Sequence, residues 1–167
     1  MAFYQTGSVL GADLNNTSTS AGFVLGSTVE GADGTLWQYV VASTSVSQYA
    51  VVAINSSGTM AMASAADAIA GRQLAVAQSA FAASEYGWVP IRGTGGDQNQ
   101  FKVLCSGTMS GGNALYMASE TGKVAIQTSG SSTLQGIMVY AASGSDVATV
   151  TAMGCIITWP RCKYSGS

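Results

Sequence analysis

The chain has 167 residues, of which 47% are hydrophobic and only 8% charged, with a formal net charge of −2 and no histidine. That length fits one domain able to bury a core without disulfide staples. The lack of histidine removes Ser-His-Asp and Cys-His catalysis and histidine metal sites, and the six dispersed basic residues give no footprint for direct nucleic-acid binding.

An ordinary soluble domain is about 25% charged. Here the polarity comes from Ser, Thr, Asn and Gln, with 21 Gly as breakers. Like-charge repulsion therefore does little to keep copies apart, which points to a surface made to be covered by partners. The opening residues lack the basic and apolar regions of a secretory signal, and no window is apolar enough for a membrane helix. A soluble chain made in a cytoplasm, with no membrane partner, is expected. The three cysteines (Cys105, Cys155, Cys162) read as reduced thiols, with a Cys155–Cys162 bridge as the alternative.

In chain order, residues 1–21 hold no sustained period and read as an N-terminal arm, either frayed or ordered against a neighbouring subunit. Phe3, Tyr4, Val9 and Leu10 are its candidate interface residues, and removal of residues 1–20 is expected to leave the rest folded. From Gly22 to the end, residues 22–167, the pattern is β. Short runs at 23–25, 28–29, 35–42, 48–55 and 59–62 are separated by Gly/Ser turns, with Asp-Gly chemistry at residues 33–34. Residues 64–67 (SAAD) resemble a capping box and predict one short helix that stops at Gly71. Residues 71–93 predict a β-hairpin or two neighbouring strands. A last strand opens at Cys155 and is expected to end at Pro160, which cannot donate to a ladder.

Residues 39–93 align with 103–154 as an internal repeat, with Gly58 on Gly122, Val51 on Leu115 and Leu74 on Val139. Identity is low, so coincidence among Ala, Gly and Ser is the competing reading. The fold class is all-β: a single compact barrel or sandwich of short antiparallel strands, with two similar halves if the repeat is real, one short helix and an extended arm.

The chemistry is sparse. The eight acids are scattered, mostly in turns where carboxylates cap backbone, although a carboxylate pair for glycoside hydrolysis would meet only in the fold. Residues 93–100 (GTGGDQNQ) lack the Gly-Lys-Ser/Thr ending of a phosphate loop. The three tryptophans, Trp37, Trp88 and Trp159, read as core or barrel-rim residues. No cofactor, metal or catalytic residue is expected, and the chain is not read as an enzyme.

The extended residues 39–41 (YVV) and 48–55 (QYAVVAIN), the small-residue link to Gly71, and above all residues 75–81 (AVAQSAF) followed by 86–88 (YGW) carry a resemblance. Over about residues 28–155 the chain resembles capsid decoration, or cement, proteins of tailed bacteriophages. The resemblance implies a β-rich homotrimer on the capsid exterior of the virion, made in the host cytoplasm, that binds the major capsid protein and stabilises the shell. Two alternatives accompany it: another virion structural protein, such as a head fibre or tail component, and a carbohydrate- or cell-surface-binding β module.

Overall fold

A computed structural model of the chain describes residues 12–31, 34–69, 72–93, 101–107, 115–118, 121–126, 133–139 and 152–163. Within them the extended runs pair into one mixed sheet of 11 strands, with a single helix, α1 (Ala65–Ile69). The strands fall into two sets with the same connections. In the first, β2 (Leu36–Ala42) runs antiparallel to β6 (Tyr86–Gly93) and parallel to β4 (Thr59–Met62). There β3 (Val51–Ile54) lies antiparallel between β4 and β5 (Gln73–Val76). In the second, β7 (Lys102–Leu104) runs antiparallel to β11 (Ala152–Lys163), and Cys105 bridges Val124 in parallel. There β8 (Leu115–Met117) lies antiparallel between β9 (Val124–Ile126) and β10 (Thr133–Val139). A short β1 (Thr28–Glu30) adds to β2.

The fold is therefore all-β with two similar halves. The second set closes into a five-stranded ring, because β10 also pairs with β11. No ladder joins β5 to β6 among the described residues, so the first ring stays open there. One feature differs from the all-antiparallel expectation: β2 and β4 are parallel, and the Cys105–Val124 bridge repeats that relation.

Register shows how far the likeness goes. Val41 faces Tyr86 as Leu104 faces Ala152, and Tyr39 faces Trp88 as Lys102 faces Gly154. Val52 faces Met62 as Leu115 faces Ile126. Gly58 and Gly122 both close their hairpins at positive φ, 79° and 77°. The pairings nevertheless shift the sequence alignment. Leu115 takes the place of Val52 rather than Val51, and Leu134, paired with Leu115, takes that of Ala75, paired with Val52, so the match of Leu74 with Val139 does not hold. In a strand a one-residue slip moves a side chain to the other face. Val51 and Val52 do lie in different clusters, whereas Leu115 belongs to the interior of its ring.

Alternation then builds two cores. Val40, Ala42, Val52, Ile54, Met60, Ala75, Val89 and Ile91 fill the first ring. Their counterparts Val103, Cys105, Leu115, Met117, Val124, Leu134, Cys155 and Ile157 fill the second. The outer face of the first ring, with Trp37, Tyr39, Val51, Leu74, Val76 and Trp88, is buried too and merges with the second core, where Trp37 meets Phe101 edge-on at 5.4 Å. Strands buried on both faces read as continuous apolar runs, which is why 51–54 (VVAI) shows no alternation.

The equivalent strands β6 and β11 pair antiparallel, joining the rings. Arg92 stands opposite Thr158, and each lies equally far along its strand from the matched residues Trp88 and Gly154. An approximate two-fold axis therefore passes between Arg92 and Thr158.

Three local expectations change. The segment 71–93 is not a hairpin: β5 pairs with β3 while β6 pairs with β2 and β11. Strand β3 begins at Val51 rather than Gln48, because Tyr49 takes φ 66° in a turn closed by the Ala50 amide on the Ser47 carbonyl. Residues 23–25 form no strand and instead turn at Gly26.

The capping box forms. The Ser64 amide and hydroxyl donate to the Asp67 carboxylate at 3.0 and 2.7 Å, and the Asp67 amide donates back to Ser64 Oγ at 3.3 Å. The Ser64 side-chain hydrogen bond is the main cause holding the Asp67 carboxyl below its ordinary range, with the Arg72 guanidinium 2.8 Å away adding to it. A depressed carboxyl stabilises the fold above its unfolded pKa and loses that effect as pH falls through the folded value. Ser64→Ala is accordingly expected to cost about 1 kcal/mol at neutral pH. The difference from wild type in urea titrations should shrink once the pH is below the carboxylate range.

Candidate interaction surface

The sequence-predicted interface residues Phe3, Tyr4, Val9 and Leu10 lie outside the described residues, as do residues 94–100 of the glycine-rich segment. The rest of the predicted arm, from Ala12, is part of the body. Leu14 is 3% exposed within the main core cluster, and Ala12 packs against it. Ser18 and Tyr86 exchange backbone hydrogen bonds at 2.9 and 2.8 Å, Thr17 donates to Glu85, and Ser79 Oγ donates to the Asn15 carbonyl. An expectation that residues 1–20 are dispensable for folding thus holds at most for residues 1–11.

Residues 12–30 act as a lid on the outer face of the first ring. Phe23 sits edge-on to Tyr39 and Trp88, with ring centroids 5.3 and 5.1 Å apart. The Gly22 amide donates to Tyr39 Oη, and the Gly26 amide donates to the Tyr39 carbonyl. Leu25 packs so closely on Gly58 that a Cβ there would stand 2.8 Å from the Leu25 Cβ. The aromatic cluster is therefore packing material, as expected for Trp37 and Trp88.

Trp159 differs. Strand β11 does not end at Pro160 but continues to Lys163 through a bulge. Gln135 pairs with Arg161 and Ile137 with Ile157, so Gly136 alone opposes Thr158, Trp159 and Pro160. A proline tolerates such a place because the ladder is already interrupted. Gly136 has φ 83°, and a Cβ on it would come within 2.5 Å of the Thr158 carbonyl oxygen. Opposite it, Trp159 is forced to φ 50°, costly for an aromatic residue, and its side chain is 50% exposed. On the outward face of the same strand pair, Met138 is 56% exposed and stands opposite Ile156, which is half-buried. Trp159, Met138, Ile156 and Thr158 form the candidate contact surface. Sequence reading missed it, although an isolated glycine inside an apolar strand pattern is the usual sign of a bulge.

The charged groups do structural work. Glu85 accepts from the Ala82 amide and Thr17, Asp13 from Asn15 and Asn16, and Glu30 meets Arg92 at 3.3 Å on the surface. Among the described residues no group of three or more Cys, Asp or Glu is placed to hold a metal ion. This arrangement can bind an apolar surface.

Cys105 and Cys155 are free and buried. Because Cys155 is free, the alternative Cys155–Cys162 bridge is not formed; the two residues lie on one strand, paired with Val139 and Leu134. Burial pushes the Cys105 thiol up to about 11, and burial together with the neighbouring Cys105 pushes Cys155 up to about 12, from an ordinary 9.0. A raised thiol pKa gives stability that is complete below the unfolded value and is lost as pH rises through the folded one. The thiols' contribution to stability should be level below pH 9 and fall as pH rises toward 11–12, and both thiols should react with thiol reagents only slowly in the native state. Rapid labelling of Cys105 at neutral pH would contradict its place in the core.

Comparison of the chain with protein-family models, with curated proteins and with solved structures found no match. No helix among the described residues is long and apolar enough to cross a membrane.

Proposed function

We propose that the chain is a structural virion protein that binds the outer surface of a phage capsid and stabilises the shell. Its partners are the major capsid protein and further copies of itself, in a homotrimer, with no direct contact to nucleic acid, and it resides on the capsid exterior. The observation that carries this reading is the contact surface on the outward side of β10 and β11. Trp159 is held out at an unfavourable φ by a glycine bulge, Met138 on the paired strand is exposed as well, and the chain has almost no charge. An exposed aromatic at a strained backbone position costs stability, and such features persist where they make contact with something else. Low net charge supports dense packing of copies, since neighbours on a shell do not repel one another.

The same observations speak less well for a carbohydrate-binding module. Stacking sites for sugars need exposed aromatics lining a groove, and Tyr39, Trp37 and Trp88 are all within the core. Co-sedimentation with purified empty shells tests the proposal. The protein should saturate the shells and raise the temperature at which they disassemble, and Trp159→Asp should bind much more weakly while keeping its far-ultraviolet circular dichroism. Retention on a glycan surface with no affinity for shells would overturn it.

A further inference from the structure

The lid on the first ring carries residues 22–26 (GFVLG), and residues 7–11 (GSVLG) repeat that pattern. We infer that the segment 7–11 of a second copy of this chain docks on the exposed face formed by Met138, Ile156 and Trp159 on the second ring, as 22–26 docks on the first. In this inference the arm read from the sequence has a defined receiving surface. It rests on the arm reading and deepens the proposed function by making this face a contact between copies; light–heavy cross-links without shell binding, or shell binding without them, separate the two.

Three observations support it. The first is how the pattern docks. In 22–26, Phe23 and Leu25 turn inward onto Tyr39, Trp88 and Gly58, Val24 is 78% exposed, and Gly26 closes the segment at φ 84°. Segment 7–11 keeps both glycines, the exposed-position valine as Val9 and the inward leucine as Leu10.

The second is an asymmetry between matched faces. The lid over the first ring comes from the chain just before β2. The chain between β6 and β7 is residues 94–101 (TGGDQNQF): its one aromatic, Phe101, is buried against Trp37, and 94–100 have no aliphatic or aromatic side chain to play that part. Where the Tyr39 backbone is paired by Gly26 and Ser27, the matched Lys102 backbone is paired by the side-chain amide of Gln78, at 3.0 Å in both directions. The strand edge is thus satisfied, while Met138 and Trp159 on the outward face stay exposed.

The third is reach. Opposed residues of antiparallel strands share a face, so Met138 and Ile156 lie on the same side of the sheet as Thr158, Arg92 and Trp88, a continuation of the face under the lid. Ser18 stands opposite Tyr86. From there to the Met138–Ile156 pair, along β6 to Arg92 and back along β11 from Thr158, is roughly 26 Å at about 3.3 Å per residue. Leu10 precedes Ser18 by just enough residues to span that distance fully extended. The chain between them is not extended, because Asp13 accepts hydrogen bonds from the Asn15 amide and Asn16 Nδ2 at 3.1 and 2.6 Å. Eight residues that include this turn are too short to bring a molecule's own Leu10 to the pair, which makes a second copy the occupant.

Photo-cross-linking on the full chain tests this. A benzophenone amino acid replaces Met138, and equal amounts of isotopically light and heavy protein are mixed before irradiation. Cross-linked peptides should join position 138 to residues 1–18 in light–heavy pairs. Leu10→Asp should reduce those pairs at least tenfold and lower the mass measured by light scattering, with the circular dichroism unchanged. Pairs that are only light–light and heavy–heavy would mean that the segment folds onto its own chain and would overturn the inference. So would the absence of any peptide from residues 1–18, or an unchanged yield with Leu10→Asp.

Discussion

Gly136→Ala should destabilise the protein by on the order of 3 kcal/mol or more, and should change the exposure of Trp159 in whatever population still folds. The new methyl group would sit 2.5 Å from the Thr158 carbonyl oxygen, 2.9 Å from Pro160 Cα and 3.0 Å from the Trp159 carbonyl oxygen. All three are backbone atoms of the opposing strand and cannot swing aside as the end of a flexible side chain can. The residue would also have to adopt φ 83°. Gly26→Ala is the control: its φ is 84° but nothing lies within 4 Å, so it should cost only the left-handed strain, about 1 kcal/mol. Urea titrations of the two variants separate the steric term from the conformational one. Equal losses would mean that the bulge relaxes freely and does not hold Trp159 in place.

Truncation at two points should give opposite results. Removing residues 1–11 should leave the circular dichroism and the urea midpoint close to wild type, because that stretch holds no sustained strand or helix period. Removing residues 1–20 should cost roughly 2–4 kcal/mol, the order expected for emptying the Leu14 site in a packed core. It also takes away the Ser18 partner of the Tyr86 backbone groups. On the proposed function, the shorter truncation should lower occupancy on shells sharply, since a repeated weak contact acts through avidity. Undiminished shell binding by a chain lacking residues 1–11 would separate the arm from that function while leaving the β body untouched.

Several parts of the fold were legible in the chain because they depend on neighbours in sequence. The Ser64–Asp67 box needs only four residues, and it forms as read. The Asn55–Gly58 turn closes on an Asn55 side chain that accepts from the Ser57 and Thr59 amides, again a local matter. Even the repeat was visible through Gly58 and Gly122, since positive φ restricts residue choice so strongly. Its register was not visible. Val51 and Val52 are equally apolar and both fully buried, so nothing in the chain says which of them faces the ring interior.

Composition, strand spacing and turn chemistry by themselves determined an all-β body with one short helix, and the missing histidine ruled out imidazole chemistry; the strand pairings turned the candidate repeat into two similar halves. Only the tertiary structure decided which strands pair: β5 with β3 rather than with β6, β2 parallel to β4, and β6 with β11 about an approximate two-fold axis. It also decided that Leu14 is core and that Trp159 is surface. The physical reason is the same in each case. Local conformation is set by forces between residues a few positions apart, which the sequence displays. Pairing and exposure are set by which apolar faces meet across long separations, and Gly136 and Trp159 acquire their meaning only from standing opposite one another.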